Sequence, residues 1–159
     1  MRMILPKLTD RRTVDRLLSV FFQDYKEFAF RRAIGMMSRF YHLASPRVLW
    51  FEYLDWGKTA GRTYENGRIH LVHPENWKNG RKYNSERQWI NTVYHEMAHY
   101  VFWSDAERKA DTFAWRFVRG IAAVGASRGH VRRVASRARP KAGLRRSRPH
   151  PHPRRSRSR

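Results

Sequence analysis

Residues 85–102 carry a pattern that constrains this chain more than any other stretch. Ile90, Val93, Tyr94, Met97, Ala98, Val101 and Phe102 recur at i, i+3, i+4 and i+7, so on an α-helix they form one unbroken apolar stripe. Ser85, with Gln88 three residues later, reads as a capping box at the start of that helix. Gln88, Thr92, His95 and His99 run along a different side. Any fold must bury the stripe and leave the second side facing something else.

The second side carries chemistry. His95-Glu96-Met97-Ala98-His99 has the form H-E-x-x-H, and residues four apart share a helix face, so both imidazoles can reach one metal ion while Glu96 borders the same cleft. Zn2+ is the expected ion. Two neutral imidazoles and a third protein ligand leave one tetrahedral position for a water, whose pKa zinc lowers towards about 7. Glu96 is the expected general base, taking a proton from that water and passing it to a leaving amine.

The third ligand is expected just downstream. Helical periodicity resumes after residues 103–105, with Asp105 as a candidate N-cap and Ala110, Phe113, Ala114, Phe117, Val118 and Ile121 as the apolar positions. Counting back three from Ala110 gives Glu107, a carboxylate on the face predicted to be buried. Burying a carboxylate is costly unless it is paired or bound to metal. Asp111, one turn on, is placed to accept a hydrogen bond from a ligand histidine. Glu107 is also an ordinary first-turn acid that a helix dipole favours, and Asp105 and His73 stand as alternative third ligands.

The motif followed by Glu107-x-x-Ala110-Asp111-x-Phe113-Ala114 resembles the gluzincin branch of the zincin-like metallopeptidases, especially the ImmA/IrrE-type group. That resemblance implies His95, His99 and Glu107 as zinc ligands and Glu96 as base. Only seven residues separate His99 from Glu107, fewer than in that group. A second resemblance lies upstream: Thr59-Ala60-Gly61-Arg62-Thr63-Tyr64, then Arg68-Ile69-His70-Leu71, then the metal helix, is similar to SprT-like metalloproteases. The downstream histidine ligand of that family has no counterpart here, the next histidine being His130. Both resemblances imply a strand along the cleft edge, with Ile69 and Leu71 contacting a protein or peptide substrate by strand addition.

The rest of the chain is compatible with an α+β domain spanning residues 1–125: an N-terminal helical segment, a small antiparallel or mixed sheet, the metal helix and a ligand-bearing helix. Residues 1–42 keep helical spacing, with Thr9 or Asp10 as cap and a break expected near Gly35. Residues 47–54 read as a strand. Asn66-Gly67 reads as a tight turn before a strand that Pro74 stops, and residues 75–84 as a polar loop. Tyr64, Tyr83 and Tyr100 are candidates to hydrogen-bond an oxyanion. His70 and His73 are left outside the metal site, His73 being kept only as a reserve third ligand. With no cysteine among 159 residues, disulfides and cysteine-ligated zinc are excluded. No run approaches membrane-spanning length, so a soluble, cytoplasmic protein without a membrane partner is the default expectation.

From residue 126 the character changes. Residues 128–159 hold 13 Lys+Arg and no acid, so +13 of the net +21 lies there. This low-complexity tail, including Arg145, Arg146, Arg148, Arg154 and Arg155, is expected to be disordered. Such a tail binds DNA or RNA by counterion release, or is an incidental solvated extension. Two function classes therefore stand: a zinc metalloendopeptidase, and a nucleic-acid-binding protein around a structural or inactive zincin core.

Overall fold

The periodic segments are realised as an α+β fold in a computed structural model, which describes residues 3–55, 59–79, 85–103 and 106–121. The elements run α1 (Leu8–Asp24), α2 (Glu27–Phe40), β1 (Arg47–Phe51), β2 (Gly61–Thr63), β3 (Arg68–Val72), α3 (Pro74–Asn79), α4 (Glu86–Phe102) and α5 (Glu107–Val118). No helix of the described residues is long and apolar enough to cross a membrane. The expected boundary near residue 125, the basic tail, Tyr83 and Asp105 lie outside the described residues.

The N-terminal helical segment is two helices, and it breaks at Tyr25 rather than at Gly35. Tyr25 adopts φ 56°, ψ 27° and its N–H closes onto the Phe21 carbonyl, the left-handed residue that ends many helices. Gly35 lies inside α2. Neither Thr9 nor Asp10 caps α1, which starts one residue after Lys7 without a side-chain cap. The two helices pack through Val14, Leu18, Phe21 and Phe22 on one and Ala29, Phe30, Ala33, Ile34 and Met37 on the other, all buried.

The three strands make a mixed sheet of order β1-β3-β2. β3 is central, parallel to β1 with Val48 opposite Ile69 and Trp50 opposite Leu71, and antiparallel to β2 with Gly61 opposite Leu71 and Thr63 opposite Ile69. The Asn66-Gly67 turn joins β2 to β3, Gly67 taking φ 78°. The polar stretch read as a loop begins as a short helix, α3, with Pro74 in its first turn, where a missing N–H costs nothing. Trp77 on it is buried and donates to the Ser85 carbonyl at 3.1 Å. Ser85 precedes α4 in extended conformation without a side-chain cap bond, so the expected capping box does not form.

α4 packs against the helical layer, the sheet and α5. Trp89 is the hinge of this core: its ring centroid is 5.6 Å from Phe22 and 5.8 Å from Phe21, and its Nε1 donates to the Val72 carbonyl at 3.0 Å. Tyr94 is fully buried, with its hydroxyl donating to Asp15 Oδ1 at 2.9 Å, and Arg87 donates to the same carboxylate. These bonds tie α4 to α1, and burial with the Asp15 charge holds the Tyr94 hydroxyl well above its ordinary pKa.

Arg11 performs a second tie, from α1 to the end of α5. Its Nη1 donates to the carbonyls of Arg116, Phe117 and Arg119 at 2.8, 2.9 and 3.1 Å, and its Nε to Pro6 at 3.1 Å. The last carbonyls of a helix have no partner within it, so this guanidinium closes α5. Arg11→Ala is expected to lower unfolding stability in urea by about 1.5–3 kcal/mol, as loss of charged hydrogen bonds does. Arg31→Ala removes only an exposed pair with Glu27, and is expected to cost no more than about 0.5 kcal/mol.

Candidate metal centre

The helical phase of α4 that buries Val93, Tyr94, Met97 and Ala98 carries His95 and His99 to its other side, where both are half-buried. Trp103, at φ 45°, ends α4. α5 then returns antiparallel to it, with Phe102 against Phe113 at 5.6 Å between ring centroids and Tyr94 against Phe117 at 4.5 Å. That return brings the first turn of α5 over the two histidines.

Three ligating side chains converge there. His95 Nε2 lies 3.1 Å from His99 Nε2 and 2.9 Å from Glu107 Oε2, and His99 Nε2 lies 3.5 Å from Glu107 Oε1. Donors about 2.0–2.2 Å from a tetrahedral zinc lie roughly 3.3–3.6 Å from one another; the 3.5 Å pair is at that spacing, and the 2.9 and 3.1 Å pairs would open by a few tenths of an ångström around one such ion. The donor set fits as well. His95 Nδ1 is 2.9 Å from Asp111 Oδ1; a proton donated there leaves the Nε2 lone pair facing the other two groups, the orientation second-sphere carboxylates impose on ligand histidines. Among the described residues His95, His99 and Glu107 form the group of His and acidic side chains close enough to hold a metal. Glu107 is not on the buried face: its side chain is 74 % exposed. As the first residue of α5 it precedes the turn whose packing fixes the buried side.

Glu96 is buried at 5 % exposure, and the sheet makes room for it. The Thr63 hydroxyl lies 2.7 Å from Glu96 Oε2 and 2.9 Å from the Glu96 carbonyl, either of which can accept its one proton. A Cβ on Gly61 would stand 2.7 Å from Glu96 Cγ and 3.0 Å from both Glu96 Oε1 and Leu71 Cδ2. β2 therefore holds this carboxylate with a hydroxyl at one residue and a missing side chain at another. Burial raises the Glu96 pKa, and the Thr63 hydrogen bond followed by the neighbouring histidines opposes that rise.

The four side chains open into a cleft of about 960 Å³ between β2, α4 and α5. Trp103 and Trp115 line it while remaining 57 % and 58 % exposed. Tyr64 also lines it, whereas Tyr100 is buried and donates to the Ala44 carbonyl at 2.7 Å, so it cannot serve an oxyanion there. His73 is no alternative ligand: its ring sits among Phe21, Tyr25 and Trp50 and its Nδ1 accepts the Glu75 N–H at 3.3 Å. Ile69 and Leu71 are each 1 % exposed in the central strand, which is paired on both sides. They cannot take a peptide, and the strand bordering the cleft is β2. Gly61 and Thr63 lie in the stretch between the two predicted strands, but no periodicity ties a strand residue to a helical carboxylate 33 positions away.

No protein-family model matches the chain, and searches of curated proteins and of solved structures give no match.

Elemental analysis after dialysis against metal-free buffer is expected to find about one zinc per chain, lost in His99→Ala and Glu107→Ala and kept in Glu96→Gln. Asp111→Asn is expected to weaken zinc binding about 10–100-fold in a competition titration with a chromophoric chelator. Gly61→Ala places its methyl against Glu96 and Leu71 and is expected to cost about 1–3 kcal/mol in thermal or urea unfolding. Because the ligands come from α4 and α5, the folded fraction of that variant should still bind zinc.

Proposed function

We propose that this chain is a zinc-dependent metalloendopeptidase with a zincin-like domain, acting on a protein or peptide substrate inside the cell. The observation that carries this reading is the convergence of three ligating atoms beside a buried carboxylate that a hydroxyl holds at the mouth of an open cleft. A structural metal site has no use for the fourth group.

His95, His99 and Glu107 would hold the ion, with Asp111 fixing the His95 ring. Zinc in such a site supplies Lewis acidity towards a water and towards a substrate carbonyl. The chain's own residues do the rest. Glu96 accepts the proton of the attacking water and returns it to the departing amine nitrogen as the peptide bond breaks. Thr63 keeps the Glu96 carboxylate aimed at the cleft, which removes an orientational cost from each turnover. β2 borders the cleft as the sheet's edge, so an extended substrate backbone can pair along it by strand addition. Trp103 and Trp115 offer broad apolar surface to substrate side chains at the cleft walls.

The test is proteolysis by zinc-loaded protein of an unfolded protein and of a mixture of quenched fluorogenic peptides. Glu96→Gln is expected to reduce kcat about 10²–10⁴-fold while retaining zinc. Thr63→Val, which keeps shape and removes the hydroxyl, is expected to lower kcat about 10-fold with KM little changed, the signature of a positioning group. Zinc-loaded wild type that cleaves nothing, or a Glu96→Gln variant as active as wild type, would sink the proposal.

A further inference from the structure

The sheet has a second face, turned away from the core and from the candidate metal ligands. Val48, Trp50, Ile69 and Leu71 point to the core, so alternation directs Arg47, Leu49 and Phe51 of β1, Arg68 and His70 of β3, and Arg62 of β2 the other way. α4 packs on the core side, through Thr63 and the Val72 carbonyl. On the outer face three rings line up across the strands: Phe51 is 4.6 Å from His70, and His70 is 4.5 Å from Tyr64, between centroids. Tyr64 is 38 % exposed and Arg47, Arg62 and Arg68 are all exposed.

The strands' own charge on this face has one sign. The thirteen residues of the three strands include three arginines and no acid. Asp55, from the turn beyond β1, pairs with Arg62 at 2.6 Å, which leaves Arg47 and Arg68 at the β1–β3 edge. Burial, and after it the charges of Arg68 and Arg62, keep the His70 pKa below its usual value, so the middle ring, packed between Phe51 and Tyr64, is uncharged in a positive field. Outside the tail, residues 1–127 still carry +8 of the net +21.

We propose that this outer sheet face is a binding site for single-stranded nucleic acid, separate from the basic tail and meeting the metal-site cleft only at its rim, where Arg62 and Tyr64 line that cleft too. Bases stack on the outward faces of Phe51 and Tyr64, which flank His70, while Arg47 and Arg68 contact phosphates. A single strand offers both flat bases and negative charge. A duplex offers phosphates but keeps its base faces inside the helix. An acidic peptide satisfies the arginines and leaves the rings without a matching group.

The experiment uses the full chain and fluorescence anisotropy of a labelled oligothymidine of about fifteen nucleotides, a length within the usual site sizes, over a range of salt concentrations. The double variant Phe51→Ala/Tyr64→Ala is expected to bind about 10-fold more weakly with the salt slope unchanged, as loss of base stacking does. Arg47→Ser/Arg68→Ser, at exposed positions that do not threaten folding, is expected to lower the salt slope by about 0.7 for each phosphate no longer neutralised. Photocrosslinking of a bromouracil-substituted oligonucleotide is expected to label peptides containing Phe51, His70 or Tyr64. If both double variants fold, judged by thermal melting, and bind as wild type does, the tail carries the binding and the proposal is overturned. Competition by polyglutamate as strong as that by oligothymidine would overturn it too, in favour of an acidic protein partner.

Discussion

A buried carboxylate is the constraint on which this structure turns. Glu96 is 5 % exposed on α4, and an unpaired charge there would cost several kcal/mol. The Thr63 hydroxyl meets it from β2, and Gly61 leaves the space that its Cγ and Oε1 occupy. α4 is thereby pinned to the sheet on one side while Tyr94 and Arg87 pin it to α1 through Asp15. With α4 fixed in both rotation and height, its two histidines have one available direction. A return helix of the right phase can then complete the set of ligands.

That return helix explains which parts of the site were legible in the sequence. The stripes of α4 and α5 are long and strongly periodic, so the helices and the shared face of His95 and His99 followed from spacing alone. Glu107 was harder, because it is the first residue of its helix and phase constrains a terminal residue least. Its place over the histidines depends on how the chain turns at Trp103, whose left-handed backbone no glycine or asparagine announces. The same reason hid the break at Tyr25, where an aromatic residue takes the conformation usually left to glycine. Gly35 offered a sequence signal for a break that helix packing did not need.

Strand order was the other part the sequence could not supply. Ile69 and Leu71 alternate with Arg68 and His70, which shows that one face of β3 is buried but not which strands flank it. A parallel neighbour on one side and a hairpin partner on the other make β3 central, and this moves the cleft's edge to β2. The hairpin itself was legible in Asn66-Gly67, although its loop is longer than that pair: it runs over residues 64–67, closed by the Gly67 N–H on the Tyr64 carbonyl, with Gly67 left-handed. The parallel pairing with β1 joins segments about twenty residues apart, beyond what local pattern reports.

β2 consequently serves two surfaces with a few residues. Gly61 and Thr63 face Glu96, while Arg62 points to the outer sheet face and Tyr64 follows at the rim between them. A strand's side chains alternate with a period of two, so a slip of one residue in the β2–β3 pairing would exchange the two sets. Arg62 would then press on a buried carboxylate that has space for a hydrogen atom, and Thr63 would lie outside. The turn that sets this register is held in place by packing as well as by its own geometry: Gly67 at φ 78° lies against Tyr100 and Trp103 at the end of α4. The helix that presents the histidines thus also fixes the turn that aligns the strand beside them, so the candidate ligands, the carboxylate's support and the outer face are aligned by one packed junction.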